Sequence, residues 1–490
     1  LVFITKSIFL AFFAWRQSKF IYGIKADLSH KLFKKYLYLP YEFHLIRNSS
    51  HLIRNLTSEI SQFSSNVIGS ILILANEVFV VIALISLLFY FEPFGALIVL
   101  TIAALAMFFF QLVTKSRLKA WGEERQKHEG FKIQKAQEGL SGAKDLKLMG
   151  KENHFIEIFN IHNFNNAYIE IKQSTLAQIP RLWLESVGII CIGIIISIST
   201  YFSNSTTQTI PIIAVFAAAA FRIFPSSNRI LSALQNLKYA NVVTYLIYNE
   251  LNQHGTKVYK NTPIKFEKNI IIDNVSYSYP NSSNSTLLDI NLTIRKGDTI
   301  GIVGISGSGK STLVDLILGL IEPTSGKIKV DNTDISKGMR NWQSQIGYVQ
   351  QSIFLTDDTL KNNIAFGLSD DQIDKKALDQ AIRTAQLEEF IFSLPKGLNT
   401  IVGERGMRIS GGQRQRIGIA RALYYNPSIL VFDEATSALD NETEKELMNS
   451  IYNMKGLKTM IIVAHRLSTI ANCDLCYRVE NRKIKKVNNS

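Results

Sequence analysis

Charge is what this chain is short of. Only 19% of its 490 residues are Asp, Glu, Lys or Arg, against about a quarter in soluble domains. Cysteine is scarcer still. Three Cys are too few and too scattered for the disulfide framework of an oxidised extracellular scaffold. Cys473-Asp474-Leu475-Cys476 has a C-x-x-C spacing, but a zinc site needs about four ligands. The one other thiol, Cys191, lies in an apolar run, so a zinc or redox role for the pair is excluded. The eight His show no metal-ligand spacing. The first apolar stretch, Leu1–Trp15, has no basic segment before it, so a signal peptide is not expected there.

The shortage of charge is uneven. Four stretches, Val67–Phe91, Phe94–Val113, Leu182–Tyr201 and Ile210–Ile230, meet the roughly 20 apolar residues that a bilayer-spanning helix needs. Leu1–Trp15 is a fifth, shorter run. Phe91-Glu92-Pro93-Phe94 reads as a tight reversal and Asn204–Gln208 as a short uncharged loop. Buried core helices of a large soluble protein are the competing reading. Five such runs joined by tiny loops on one side oppose it.

Eight Lys and Arg lie between Trp15 and Val67, from Arg16 to Arg54, and eleven between Thr114 and Pro180, from Lys115 to Lys172. The loops on the other side have none, so the basic segments are expected in the cytoplasm. The net charge of +14 then reflects topology and attraction to anionic lipid headgroups, and needs no nucleic-acid partner. Tracing back from a cytoplasmic C-terminal half, five spans place Leu1 outside, as though a first helix were missing before it. Lys19–Lys35 and Thr114–Glu138 are rich in helix formers and read as membrane helices continuing into the cytoplasm. The expected organisation is an all-α membrane domain at 1–250, a polar linker at 251–263 around Gly255, and an α/β domain at 264–490.

In the second domain the apolar run Thr299–Val303 leads into Gly304-Ile305-Ser306-Gly307-Ser308-Gly309-Lys310-Ser311, and a helical pattern opens at Thr312. This is a P-loop in its strand–loop–helix context. Its glycines let backbone N–H groups wrap phosphate oxygens, and the helix N-terminus adds positive potential. Lys310 is expected on the β- and γ-phosphates and Ser311 on Mg²⁺. A glycine-rich turn arising by chance is the bland alternative. Ser428–Glu434 is an apolar strand ending in two carboxylates. Asp433 suits a water-mediated Mg²⁺ contact, and Glu434 is placed to polarise an attacking water. A solvated acidic turn would not explain why the apolar run ends in paired acids.

Between these motifs lies Ile409-Ser410-Gly411-Gly412-Gln413, which resembles the signature motif of ABC ATPases, with Ile409 where that family usually has Leu. Other elements follow in family order: Tyr279, Gln351 after Gly347-Tyr348-Val349, Ser437-Ala438-Leu439-Asp440, and His465 after Met460–Val463. The family usually has Pro before the Q-loop Gln, where this chain has Gln350. The resemblance runs from Ile271 to about Glu480. It implies that Tyr279 stacks on adenine and that Ser410, Gly411, Gly412 and Gln413 complete the ATP site of a second copy. It gives His465 to the γ-phosphate, Gln351 to Mg²⁺ and the attacking water, and Asp440 to the loop between two sites.

An ATPase fused behind membrane spans resembles the exporter branch of ABC transporters. This implies an all-α transmembrane domain followed by an α/β P-loop ATPase, acting as a homodimer with ATP and Mg²⁺. It also implies coupling helices near Phe43–Ser50 and Gly139–Glu152, and a contact-sensing loop at Thr400–Gly406. Leu39–Ser49, Pro180–Glu185 and Ala220–Ile230 look like the bacterial lipid-linked oligosaccharide flippase of protein N-glycosylation and its relatives. That implies a multi-pass protein of the bacterial inner membrane moving a lipid-linked glycan. An exporter of peptides or drug-like amphiphiles is the alternative within the class. A gated channel is the alternative outside it, opposed by the presence of both Glu434 and His465.

Lys6, Glu77 and Arg222 lie within apolar runs, with Glu185 and Arg229 nearer their ends. A centred charge costs about 2.5–3.5 kcal/mol on insertion scales, so each needs a partner or a wet cavity. Arg222 and Arg229 are two helical turns apart and face the same way, with Pro225 between them as a possible kink. Lys6, Arg222 and Arg229 are therefore candidates for a basic track that holds a diphosphate headgroup. Internal pairing, for example of Arg222 with Glu77, is the opposing expectation.

Overall fold

The computed structural model describes residues 1–91, 93–202, 206–252, 262–280, 282, 284–403, 406–407, 409–435, 441–464 and 470–487. Side chains of 91, 94–95, 98–99, 103, 191–192, 195–196, 198–202, 206–222 and 441 lie outside that description. The chain forms two compact units, one of Leu1–Leu39 with Phe43–Thr256, the other of Pro40–Glu42 with Lys257–Ser490.

The first unit is helical apart from short turns among its described residues. Long helices span Val2–Tyr38, Pro93–Ser141, Glu152–Phe202 and Thr206–Tyr239. They carry the apolar runs through the basic segments without a break, as the helix-forming composition predicts. Pro93 opens its helix, where its missing N–H is one of the groups without a partner anyway. Residues 206–208, expected in a loop, instead begin Thr206–Tyr239. Nothing in Thr206-Thr207-Gln208 breaks a helix, and the helix that carries the apolar run from Ile210 begins over them. Pro225 lies within the same helix. Residues 49–91 are helical with two π-turns, Asn55–Glu59 and Phe63–Ile68. Short helices, Tyr41–Ile46 and Ala143–Met149, lie near the segments Phe43–Ser50 and Gly139–Glu152.

Among the described residues, two helices are long and apolar enough to cross a membrane: Ser49–Tyr90, whose most apolar 18-residue stretch has mean hydropathy 2.7, and Leu100–Ser141, whose corresponding stretch has 1.2. Only 11% of that stretch in the first and 6% in the second is buried, whereas a soluble core helix would be covered. Their outward apolar side chains, such as Phe79 and Phe109, suit lipid as solvent. The helices pack closely where the backbone allows it. A Cβ on Gly122 would lie 2.3 Å from the Tyr239 carbonyl oxygen, so only glycine admits this contact. Beside it Leu118, Ile169 and Tyr239 form a small core.

The buried charges described in this unit are paired. Glu59, fully buried, accepts from Arg125 Nη2 at 2.8 Å, with Arg54 Nε 3.7 Å away. Tyr36 joins a second carboxylate to this region, donating to Glu250 at 3.1 Å and accepting from Asn55 at 3.1 Å.

Among its described residues the second unit has ten strands in two sheets. β1 (Asn269–Tyr277), β2 (Leu287–Arg295), β4 (Ser325–Val330) and β5 (Thr333–Asp334) form an antiparallel sheet in the order β2-β1-β4-β5. The other sheet holds β3 (Thr299–Val303), β6 (Ile346–Val349), β7 (Ile429–Asp433), β8 (Thr459–Val463), β9 (Leu475–Glu480) and β10 (Lys483–Val487). Its order is β10-β9-β3-β8-β7-β6, parallel except for β10. Strands β3, β7 and β8 are buried at every residue, as expected for a parallel sheet covered on both faces. One core packs the antiparallel sheet and the helix Lys310–Ile317 around Trp342. The other packs β6 and β7 against the helices Lys375–Thr384 and Gly411–Tyr424. The C-terminal ends of β3, β6 and β7 therefore open on one edge, where ligands of open α/β sheets bind.

Candidate functional site

The P-loop follows β3 directly. Gly307 and Gly309 have φ of 76° and 104°, values L-residues with a side chain rarely adopt. A Cβ on Gly309 would also strike Leu287 at 2.8 Å. Gly304 and Ser306 complete the loop, and Lys310 begins the helix. Lys310 is 5% exposed and donates to the carbonyls of Gly304 at 2.9 Å and Ile305 at 3.1 Å. The Ser308 hydroxyl is buried with no hydrogen-bond partner, the kind of group an anionic oxygen satisfies. A phosphate fits this loop: backbone amides, a buried ammonium, a hydroxyl without a partner and a helix N-terminus converge on it.

Tyr279 is half-buried, its hydroxyl 3.0 Å from Thr312 Oγ1 and its ring edge-on to Tyr277 at 5.1 Å. The hydroxyl thus anchors the ring to the first turn of the P-loop helix, a link the sequence did not disclose.

Strand β7 ends at Asp433, 6% exposed, which engages the Ser311 hydroxyl and, at 3.5 Å, that of Tyr348. Burial, and then the neighbouring Glu434 carboxylate, raise the pKa of Asp433. Asp315, one turn along the P-loop helix, is pushed up to about 6 by burial and by Asp433. Burial also raises Tyr348, next to the same two carboxylates. A hydroxyl and a carboxylate gathered in this way make a hard oxygen donor set of the type Mg²⁺ prefers. Asp315 and Tyr348 were not singled out from sequence; their polar identity on buried elements was the available signal.

Glu434 has a left-handed backbone, φ 51°, and its N–H donates to the Val463 carbonyl at 3.0 Å. Its carboxylate accepts from Gln351 Nε2 at 2.7 Å. The structure therefore brings together Gln351, which follows β6, and Glu434, which follows β7. A carboxylate so held can orient water and take its proton.

Ser410 caps the helix Gly411–Tyr424. Its Oγ accepts from the Gln413 N–H at 3.3 Å, while Gln413 Oε1 accepts from the Ser410 N–H at 3.0 Å. This reciprocal capping box gives Gln413 a structural task besides the phosphate contact expected of it. Behind it, Arg421 binds the carbonyls of Phe354 and Asn363, both at 2.8 Å, and burial lowers its pKa to about 10.

His465, the segment Ser437–Asp440, and Glu404 and Arg405 lie outside the described residues, as does the side chain of Arg222. Lys6 is exposed. Arg229 donates through Nη2 to Glu77 at 3.1 Å and through Nε at 2.5 Å, so among the described side chains a partner of Glu77 is Arg229, one of the two arginines proposed for the track. Glu185 pairs with Arg181 on its own helix. Cys473 and Cys476 are buried, and burial pushes the Cys473 thiol up to about 12, as suits an inert pair beside β9.

The family model of the ABC transporter transmembrane region matches residues 1–226, and that of the ABC transporter domain matches 287–437. An ATP-dependent lipid A-core flippase from Alkalilimnicola ehrlichii is 31% identical over 91% of this chain and 76% of its own length. One from Wigglesworthia glossinidia brevipalpis is 31% identical over 98% of this chain and 82% of its own. The solved structure of a bacterial Atm1-family ABC exporter with ATP bound matches 96% of this chain and 83% of its own, with TM-score 0.86 and 22% identity. That likeness concerns the fold.

Proposed function

Because the chain belongs to the ABC transporter family, as an exporter half-transporter with its membrane domain fused to its ATPase, we propose that it flips a lipid-linked glycan across the bacterial inner membrane. ATP hydrolysis coupled to transport is its activity. The choice of glycolipid is supported by one observation above the rest. Relatives matched over most of the chain are flippases of lipid A-core, a glycolipid. The local resemblance to a flippase of lipid-linked oligosaccharides points to the same chemical class, an apolar anchor carrying a glycan.

In this reading the P-loop amides and Lys310 bind the ATP phosphates, Tyr279 takes adenine, and Glu434, oriented by Gln351, accepts the proton of the attacking water. Mg²⁺, which neutralises phosphate charge, would be held by Ser311 and Asp433, with Gln351 through water. Ser410, Gly411 and Gly412 serve the ATP of a second copy in a homodimer, and His465 serves the γ-phosphate. The ATPase domain is cytoplasmic. Binding of two ATP molecules favours one orientation of the membrane cavity, and hydrolysis releases it. We assign the diphosphate headgroup to Lys6 and Arg222 first, because Arg229 already shares its charge with Glu77.

ATPase activity in liposomes, with and without a panel of lipid-linked glycans, tests the proposal. Stimulation by glycan-bearing lipids over glycan-free ones is expected. Stimulation by peptides or drug-like amphiphiles alone would overturn the substrate class.

A further inference from the structure

A groove of about 420 Å³ lies between the helix Pro93–Ser141 and the end of the helix Thr206–Tyr239. Its wall combines Leu112, Leu234 and Leu237 with Lys115, Lys119 and Lys238, and among the described residues no carboxylate lines it. Lys238 is held in place by donating to Gln111 Oε1 at 2.9 Å. Lys119 stands 3.9 Å from Glu123, a pair exposed on both sides, which leaves its charge largely available to the groove. The position in the sequence matters. Leu112 and Val113 end an apolar run, and Lys115, Arg117 and Lys119 follow at once. The groove therefore lies where hydrocarbon gives way to headgroups.

We propose that this groove binds an anionic phospholipid of the surrounding membrane as a resident lipid, distinct from the transported cargo. Its volume lies in the range of small-ligand sites, roughly 300–1,000 Å³, and would take a headgroup with the first part of an acyl chain. The leucines offer an apolar track and the lysines a phosphate contact. Three ammonium groups without a carboxylate in the lining favour a negative headgroup over a zwitterionic one. Because the groove joins the two helices, an occupied site ties them together. The inference rests on the membrane domain and is independent of which cargo is carried.

Native mass spectrometry of the full chain, purified in detergent and titrated with phosphatidylglycerol or phosphatidylcholine, provides the test. The parent should retain phosphatidylglycerol in preference. Lys115→Gln with Lys238→Gln should weaken that binding by roughly fivefold per lysine, the scale of one basic residue at an anionic surface. The binding of phosphatidylcholine should be unchanged. Lys115→Arg with Lys238→Arg should restore the parent affinity, which separates charge from loss of packing. Parent-like affinity in the Gln pair, equal loss in the Arg pair, or equal binding of the two lipids would each overturn the proposal. Displacement by millimolar inorganic phosphate would also overturn it, since the site would then recognise the anion without the lipid.

Discussion

Gln351 and Glu434, 83 residues apart in sequence, are joined by a 2.7 Å hydrogen bond from Nε2 to Oε2. The bond ties the segment after β6 to the end of β7, so the position of the carboxylate depends on a side chain from a neighbouring strand. Hydrogen bonds to charged groups contribute about 1.5–3 kcal/mol. Gln351→Ala should therefore reduce ATP turnover by roughly tenfold to a hundredfold, with ATP affinity within a few-fold of the parent. Glu434→Gln should lose about 10²–10⁴ in turnover, the range of general acid–base catalysis. The double variant should be no slower than Glu434→Gln alone. Side-by-side turnover and ATP binding check this, and additive losses would show that the two residues act apart.

Mixing variants tests the division of the ATP site between two copies. Lys310→Ala and Ser410→Arg chains are each expected to be inactive. Dimers containing one of each retain one intact composite site, so part of the activity should return on mixing. Mixed dimers as inactive as either parent variant would contradict a head-to-tail arrangement with independent sites.

Glu59 is fully buried between Arg125 and Arg54. Glu59→Gln leaves those guanidinium charges buried without a counter-charge, a change that costs about 3–5 kcal/mol. Thermal unfolding in detergent should show a large loss of stability. Replacing an exposed pair, Lys31 with Asp27, should change it by less than about 1 kcal/mol.

Asp315 gives a pH dependence of defined sign. Its pKa is about 6 in the folded protein against an ordinary 3.8, mainly through burial. Between those values the folded state binds more protons than the unfolded one, so this group lowers stability as pH rises through about 4 to 6. Asp315→Asn should raise the melting temperature at pH 7 and flatten its change over that window. An unchanged pH profile would show that Asp315 is not the group responsible.

The candidate ATP site was legible because its demands are local. A loop that needs φ above zero needs glycine, and Gly307 and Gly309 are where the pattern requires them. A buried strand that ends in two acids marks a site by itself, as Asp433 and Glu434 do. The helices were equally legible, since Lys19–Lys35 and Thr114–Glu138 contain nothing that stops them. Partnerships between helices were not. The seven-residue spacing of Arg222 and Arg229 fixes a face of one helix but not which neighbour it meets, and it is Arg229 that joins Glu77. The Asp315–Asp433 proximity and the Tyr279–Thr312 contact likewise depend on how β7 and β1 are set against the P-loop helix. No local pattern encodes that.

The most direct measurement is headgroup translocation of a lipid-linked glycan in proteoliposomes, for the parent chain and Glu434→Gln. The parent should move the glycan between leaflets with ATP and not with a non-hydrolysable analogue. Glu434→Gln should bind ATP yet move glycan at least about a hundredfold more slowly, following its loss of general-base catalysis. Equal movement by both chains, or movement without hydrolysis, would contradict an ATP-driven flippase.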